Sequence, residues 1–204
     1  MKFKVKYPFG PPVGEFLVSA TLVDNLINVI EAESDNQALF VDNSANLAGA
    51  IQRELRLSEK LLQELNLPSQ FGQLVGHYIH ACCNKAISQF ILRDCWVNLQ
   101  QAGEYNPVHW HDSDISAVLW LRIPERSHRP RRVENRLDGV FHAVHGTRQF
   151  LSNSVYEVVP EPGKLIIFPS YLMHCVYPFE ADEQRWSLAF NANIDEGIVK
   201  NWVK

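Results

Sequence analysis

Apolar residues in the first half of the chain recur every three to four positions, which is the spacing of amphipathic helices. One such run covers residues 22–30. A second covers residues 58–65, where Ser58 is a candidate N-cap and Pro68 a stop signal. Prolines and glycines among residues 1–18 predict an irregular arm or an edge strand, because both residue types interrupt helices.

The longest apolar stripe predicts a third helix of about five turns. Ser69 could cap its start, and we expect its apolar face to pack across the outside of a sheet. The stripe consists of Phe71, Leu74, Val75, Tyr78, Ile79, Cys82, Ala86, Ile87, Phe90 and Ile91. The polar residues 34–48, between the first two helices, predict a loop.

The period changes from 3.6 to 2 after Asp94, where Cys95, Val97 and Leu99 occupy alternate positions. Residues 115–123 are almost continuously apolar, which suits a strand covered on both faces. Further strand-like runs cover residues 139–144, 155–159, 164–168, 173–177 and 185–194, and Pro162-Gly163 predicts a turn before the third of them. Helices followed by about seven short strands predict an α+β fold with a barrel or sandwich of strands.

A long loop with two prolines and five arginines is predicted at residues 124–136. The arginines could steer an anionic substrate or a nucleic acid, but a solvated loop is the simpler interpretation. The net charge of the whole chain is −4, which gives no general attraction to nucleic acid or to anionic membranes. We therefore expect neither as a partner.

The length of 204 residues and the hydrophobic content of 46% fit one domain with one sizeable core. No apolar run approaches the roughly 18 residues of a membrane span, and the start of the chain lacks the apolar stretch of a signal peptide. The spacing of the four cysteines, Cys82, Cys83, Cys95 and Cys175, matches neither a zinc ribbon nor a disulfide framework. These features predict reduced thiols in a cytoplasmic protein.

Candidate chemistry begins at His109 and His111. In an extended backbone, side chains two residues apart share a face, so the two imidazoles form half of a metal site. His174 is the best candidate for a third ligand, and Arg185 follows it at the start of a strand-like run. The alternative is that these are polar residues at the edge of a strand.

Three motifs extend this pattern: Asn-Pro-x-His-x-His at residues 106–111, Pro-Gly through Phe-Pro-Ser to His at residues 162–174, and Arg-x-Ser-x-x-Phe-Asn at residues 185–191. Together they resemble the iron(II)- and 2-oxoglutarate-dependent dioxygenases, in particular a prolyl-hydroxylase-like branch. Most members of that superfamily carry an aspartate where this chain has His111. The motifs span about half of the chain.

The resemblance implies a double-stranded β-helix (jelly-roll) with N-terminal helices packed against the major sheet. It implies a single domain over residues 1–204, with a helical part at 1–93 and the jelly-roll core at 94–204. Iron(II) would be bound by His109, His111 and His174. The distal carboxylate of 2-oxoglutarate would be bound by Arg185 and Ser187, with Asn98, Tyr105 and Asn191 as candidates for further contacts.

The implied activity is hydroxylation of a C–H bond coupled to conversion of 2-oxoglutarate to succinate and CO2. Two alternatives stay open because His111 replaces the usual aspartate: a cupin-like metal enzyme without 2-oxoglutarate, and a non-catalytic jelly-roll binding module. We expect a small-molecule or peptide substrate, no membrane partner, and no nucleic acid. A homodimer is left open.

Overall fold

A computed structural model describes residues 3–7, 10–44, 51–124 and 139–201 of the chain. Within these residues the strands are β1 (Phe3–Lys6), β2 (Val13–Leu17), β3 (Phe40–Asp42), β4 (Glu54–Leu57), β5 (Phe90–Gln100), β6 (Asn106–His109), β7 (Ile115–Arg122), β8 (Phe141–Val144), β9 (Val155–Val158), β10 (Lys164–Pro169), β11 (Met173–Val176) and β12 (Arg185–Ile194). The helices are α1 (Ala20–Glu33), α2 (Glu59–Glu64), α3 (Leu67–Cys83) and α4 (Glu196–Lys200).

The strands form two antiparallel sheets. The large sheet has the order β1-β2-β10-β7-β12-β5-β4-β3, and the small sheet has the order β6-β11-β8-β9. From β5 onward the chain passes repeatedly between the two sheets, so that strands distant in sequence become neighbours. Mostly antiparallel sheets with few helices confirm the predicted α+β class.

Two apolar clusters cover opposite faces of the large sheet. On its outer face the helices contribute side chains such as Leu26, Phe71 and Val75, and Phe71 stacks on Phe190 of β12 at 4.4 Å between ring centroids. Between the two sheets lies a smaller cluster of Val13, Trp120, Phe141, Ala143, Val158, Ile166, Phe168 and Leu172. In β7, Leu119 and Leu121 belong to the first cluster and Trp120 to the second, which confirms a strand covered on both faces.

The first two predicted helices are confirmed, and the Ser58 hydroxyl caps α2 by accepting from the backbone N–H of Leu61 at 3.3 Å. Pro68 was wrongly predicted to be a stop. It lies in the first turn of α3, where the missing N–H has no intrahelical partner to lose. The cap of α3 is Asn66 in a left-handed conformation (φ 50°), so Ser69 is not the cap.

The C-terminal end of α3 was also predicted wrongly. The helix ends at Asn84, again left-handed (φ 56°), and Phe90 and Ile91 already belong to β5. The apolar stripe continues through this break because Ile87 and Phe90 pack against the same core as the helix, whereas Ile91 is exposed. Asparagine tolerates the left-handed conformation that ends a helix better than other side chains do.

The N-terminal arm is an edge hairpin, because β1 pairs with β2 and β2 pairs with β10. Residues 34–48 were predicted to be a loop but contain β3, which pairs with β4. The turn at Pro162-Gly163 is confirmed by Gly163 at φ +79° and a backbone hydrogen bond from Lys164 to Glu161. The arginine-rich stretch lies almost wholly outside the described residues.

None of the described helices is long and apolar enough to cross a membrane. The four cysteines, all within the described part of the chain, form no disulfide, and Cys95 is buried.

Candidate metal centre and co-substrate cavity

Three histidines lie close together, two on neighbouring strands of the small sheet and one in the segment that follows β6. His109 of β6 lies directly across from His174 of β11 in the antiparallel register, and His111 follows two residues after His109. One ring nitrogen from each histidine lies within 4.8 Å of the corresponding atoms of the other two. The ring centroids of His109 and His174 are 4.2 Å apart, and that of His111 is 5.0 Å and 5.2 Å from them.

Two of these rings are oriented by backbone carbonyls. Nδ1 of His109 lies 2.7 Å from the carbonyl oxygen of Pro107, and Nδ1 of His174 lies 2.8 Å from that of Leu172. A carbonyl oxygen can only accept, so both Nδ1 atoms carry the proton and donate. In the neutral rings Nε2 then has the lone pair, which is the arrangement of a histidine that binds a metal.

Burial lowers the pKa of two of the three imidazoles, those of His111 and His174, and keeps them uncharged. It lowers the pKa of His174 to about 3 and that of His111 to about 4, and in both cases the neighbouring His109 lowers the pKa further. At neutral pH both rings are therefore ready to bind a cation without first releasing a proton. Three neutral imidazole nitrogens suit iron, nickel, copper or zinc, so the residues present fit iron(II).

The nearby carboxylates do not join the cluster. The Asp114 carboxylate accepts a hydrogen bond from the backbone N–H of Ile194 at 3.0 Å, and Asp112 is exposed. Neither belongs to the group of ligand atoms that the histidines form within the described residues. Within the described residues the cluster therefore offers three imidazoles and no carboxylate.

A cavity of about 540 Å³, including its open mouth, extends from the histidines between the two sheets. Its walls include Trp96, Asn98, Gln100, Ser116, Trp120, Phe168, Arg185, Ser187, Ala189 and Asn191. Arg185 is only 3% exposed and is the cationic side chain in this lining. A cation aimed into a cavity that also holds an imidazole cluster suits a ligand with both a carboxylate and metal-binding oxygens.

Arg185 is held in place by hydrogen bonds and by an aromatic ring. Its guanidinium donates to the carbonyl oxygen of Gly139 at 2.7 Å and to Oε1 of Gln100, and it lies 5.1 Å from the centroid of the Phe179 ring. Gln100 in turn donates from Nε2 to the carbonyl oxygen of Glu104 at 2.5 Å. A guanidinium has five N–H donors in a planar fork, so these bonds are compatible with a two-pronged contact to a carboxylate.

Residues 94–191 match a family described as "Putative 2OG-Fe(II) oxygenase". The matched segment contains the three histidines, Arg185 and the strands that carry them. The segment of residues 94–191 belongs to the 2OG-Fe(II) oxygenase superfamily. This confirms the predicted superfamily and its enzyme class, an oxidoreductase that uses iron(II) and 2-oxoglutarate.

The fold of this oxygenase is shared with several solved structures. A prolyl-4-hydroxylase from Pseudomonas putida aligns over 88% of this chain and 91% of its own, with 18% identity and a TM-score of 0.57. A viral collagen prolyl hydroxylase from Paramecium bursaria Chlorella virus-1, solved with 2-oxoglutarate, aligns over 89% and 96%, with 13% identity and a TM-score of 0.54.

A third similar structure is HygX from Streptomyces hygroscopicus, solved with nickel, 2-oxoglutarate and hygromycin B. It aligns over 88% of this chain and 82% of its own, with 13% identity and a TM-score of 0.56. At these identities the likeness concerns the fold. No curated protein sequence gives a significant match to this oxygenase.

Seven of the eight site residues predicted from the sequence line the cavity, namely His109, His111, His174, Arg185, Ser187, Asn98 and Asn191. Tyr105 does not line it, and its side chain is 45% exposed. Asn98 is oriented so that its amide donates to Glu54 at 3.0 Å and accepts from the indole N–H of Trp96 at 3.3 Å. Asn98 is therefore tied to the cavity wall, next to a Glu54 carboxyl whose pKa is raised by burial.

Sequence reasoning missed Gln100, Gly139 and Trp96. Gln100 lies directly across from Arg185 in the β5–β12 register, and Trp96 lies beside the His111 ring, with centroids 5.8 Å apart. The alternation along β5 does place Trp96, Asn98 and Gln100 on one face, which is a usable signal. Only the pairing of β5 with β12 shows that this face lines the cavity.

Proposed function

We propose that this oxygenase is a 2-oxoglutarate-dependent dioxygenase of the hydroxylase type, in which His109, His111 and His174 bind iron(II). The observation that carries the proposal is one cavity that holds both the imidazole cluster and the buried guanidinium of Arg185. Bound iron(II) would supply dioxygen activation, with 2-oxoglutarate oxidised to succinate and CO2 and a substrate C–H bond hydroxylated.

The residues of the chain bind and orient the co-substrate. Arg185 would pair its planar fork with the distal carboxylate of 2-oxoglutarate, and Gln100 and Gly139 keep the fork in position. Ser187 lies on the same face of β12 and would donate its hydroxyl proton to that carboxylate. The apolar walls of Trp120 and Phe168 limit water, which strengthens the ion pair.

The arrangement of the two sheets supports a double-stranded β-helix. The inner four strands of the large sheet, β10-β7-β12-β5, lie opposite the small sheet β6-β11-β8-β9, and the chain alternates between them. The helices pack on the outer face of the large sheet. We assign the whole of residues 1–204 to this single domain.

The substrate would be a small molecule or a peptide. Similar folds are found in prolyl hydroxylases, one of them solved with a peptide fragment of hypoxia-inducible factor, and in HygX, solved with hygromycin B. Trp110, which separates His109 from His111 in the sequence, is exposed and would offer an apolar contact to such a substrate.

One observation favours a second candidate function. His111 gives the metal a third imidazole and no protein carboxylate, which suits a cupin-like enzyme that uses three histidines without 2-oxoglutarate. The buried Arg185 argues for the first candidate, because its guanidinium lines the same cavity as the histidines and suits the carboxylate of a bound ligand.

The test is release of succinate from 2-oxoglutarate in air by the purified, iron-loaded protein. We expect slow release even without substrate, and none from the His109→Ala, His174→Ala double variant, because it has lost two metal ligands. Release that continues in the double variant, or that does not depend on iron, would rule the proposal out. The cupin-like alternative predicts one bound metal per chain and no succinate from any variant.

A further inference from the structure

Three serines and an asparagine form a continuous chain of hydrogen bonds that ends in the cavity. The Ser113 and Ser170 hydroxyls are 2.6 Å apart, those of Ser170 and Ser116 are 2.8 Å apart, and the Ser116 hydroxyl lies 2.8 Å from Oδ1 of Asn191. Ser170 is fully buried and Ser116 is 2% exposed. Water therefore does not compete for these bonds, and their geometry is set by the protein alone.

The direction of the chain follows from the donor count. Oδ1 of Asn191 can only accept, so Ser116 donates to it and has no second proton. Ser170 must then donate to Ser116, which leaves Ser113 to donate to Ser170. This contact between Ser113 and Ser170 is 2.6 Å long, shorter than the 3.4 Å between the Ser113 hydroxyl and the carbonyl oxygen of Ile115. The Asn191 amide is thereby oriented with its NH2 group away from Ser116, and Asn191 itself lines the cavity.

The same chain is tied to the metal loop. The backbone N–H of His111 donates to the carbonyl of Ser170 at 3.0 Å, and the backbone N–H of Ser170 donates to the carbonyl of Asp114 at 3.1 Å. Ser170 therefore connects the segment that carries His111 to the amide of Asn191. These hydrogen bonds hold the Asn191 amide and the His111 segment at a fixed position relative to each other.

Asn191 lies far from the co-substrate end of the cavity. Arg185, Ser187, Ala189 and Asn191 alternate along β12 and all line the cavity, and Asn191 is about 20 Å from Arg185 along the strand. The guanidinium stays near its own end, because Gln100 directly opposite holds it. A five-carbon diacid is about as long as two extended residues, so one bound to Arg185 does not reach Asn191.

We propose that Asn191 is a hydrogen-bond donor to the substrate, on the side of the metal away from Arg185, and that Ser116, Ser170 and Ser113 are its positioning residues. This replaces the expectation that Asn191 binds the co-substrate, and it rests on the proposed function for the identity of the metal site. It also defines a substrate class: molecules with a carbonyl, carboxylate or hydroxyl oxygen close to the reacting C–H group, which can accept from the amide.

Azide is a suitable probe, because this small anion binds to exchangeable metal positions and accepts hydrogen bonds. It would be titrated into the cobalt(II)-loaded protein without 2-oxoglutarate and followed by the cobalt absorption bands. We expect Asn191→Leu to bind azide about tenfold more weakly than the wild type, which is the effect of losing one hydrogen bond to a charged ligand. Asn191→Asp, which keeps the shape and the Ser116 bond, should also bind azide more weakly.

Two further variants separate positioning from general damage. Ser116→Ala frees the amide to rotate and should lose about two- to fivefold in azide affinity, on the order of half a hydrogen bond, and Ser116→Thr, which keeps the hydroxyl, should restore it. Asn193→Leu makes the same change two residues along β12, outside the cavity lining, and should bind azide like the wild type.

Equal azide affinity in the wild type, Asn191→Leu and Asn191→Asp would overturn the proposal. So would a loss of 2-oxoglutarate affinity in Asn191→Leu as large as that in Arg185→Ala, since Asn191 would then bind the co-substrate. Failure of the wild type to bind 2-oxoglutarate would count against the proposed function alone, because the azide titration does not require it.

Discussion

His111 is supported differently from the other two histidines of the cluster. His109 and His174 have their Nδ1 atoms fixed by backbone carbonyls, whereas the His111 ring lies against the Trp96 indole and its backbone N–H donates to Ser170. The position of its ring therefore depends on packing. A side chain that is held by packing can be replaced by a shorter one more readily than a side chain that is held by a hydrogen bond. His111 is therefore the histidine of the cluster best suited to replacement by another ligand.

We expect His111→Asp to keep one metal per chain and to bind iron(II) at least as tightly as the wild type, because a carboxylate places a negative charge beside the cation. His111→Ala should weaken binding by at least about tenfold, since one ligand is removed. A chelator-competition assay with iron(II) measures both. Metal affinity that is unchanged in His111→Ala would show that His111 is not a ligand.

Site residues were predictable from the sequence where alternation along a single strand determines the face on which a side chain lies. Alternation along the chain was enough to place His109 and His111 on one face and Arg185 and Ser187 on another. Tyr105 was expected beside them, but it precedes β6 in a turn, where the period of two does not apply. Arg185 has two partners, Gln100 at the end of β5 and Gly139 just before β8, and they could be found only once the register was known.

At the scale of a single element, the ends of α2 and α3 give a direct comparison of two serines. Ser58 accepts from the N–H of Leu61 and caps α2, whereas Ser69 lies within the first turn of α3, which follows Asn66. We expect Ser58→Ala to lower the free energy of unfolding by about 1 kcal/mol. Ser69→Ala should change it by less than about 0.5 kcal/mol.

Urea unfolding of both variants measures this difference at one pH and one metal state. If Ser69→Ala destabilises the protein as much as Ser58→Ala, the helix start at Asn66 is wrong. The physical reason for the sequence error is that Ser69, just before the apolar stripe, and Asn66, just before Leu67-Pro68, are both reasonable start signals three residues apart. The proline decides between them, because it fits the first turn and not the interior.

Elements with a strong period were predictable, and short edge elements were not. In the long strands β5, β7 and β12, apolar residues alternate with polar ones or run continuously, because these strands are buried in the large sheet. The three-residue strand β3 is too short to show a period, and it exists because β4 offers it a partner. The end of α3 could not be predicted, because apolar residues continue from the helix into β5.

For the whole molecule, the buried histidines couple stability to pH. The ordinary histidine pKa is near 6.5, and the pKa values of His111 and His174 are lowered to about 4 and about 3 by burial. The unfolded chain therefore binds protons at these residues before the folded chain does. Their contribution to stability is fully present above about pH 6.5 and is lost as the pH falls from there toward 4 and below.

We expect the metal-free protein to lose about 2–4 kcal/mol of unfolding free energy from these two residues between pH 7.5 and pH 5. The His111→Gln, His174→Gln variant should show a correspondingly shallower pH dependence, because glutamine does not titrate. Urea unfolding in the presence of a chelator measures both proteins. The same pH dependence in the two would contradict the account of the buried imidazoles.

For the whole molecule, we expect one cavity to bind both iron(II), at its histidines, and 2-oxoglutarate, at Arg185. The most direct measurement is an anaerobic titration of the iron(II)-loaded protein with 2-oxoglutarate, followed by the metal-to-ligand charge-transfer band. Wild type should develop the band at saturation. Arg185→Ala should bind about 30- to 1000-fold more weakly, the equivalent of roughly 2–4 kcal/mol, with its metal content unchanged.

Two arginine variants complete the measurement. Arg185→Lys should recover only part of the affinity, because a point charge replaces the planar fork. Arg122→Ala, which removes an arginine that packs over Trp186 and pairs with Glu31, should titrate like the wild type. We expect this order of affinities. Equal 2-oxoglutarate affinity in all four proteins, or no binding to the wild type, would show that Arg185 does not bind 2-oxoglutarate in this cavity.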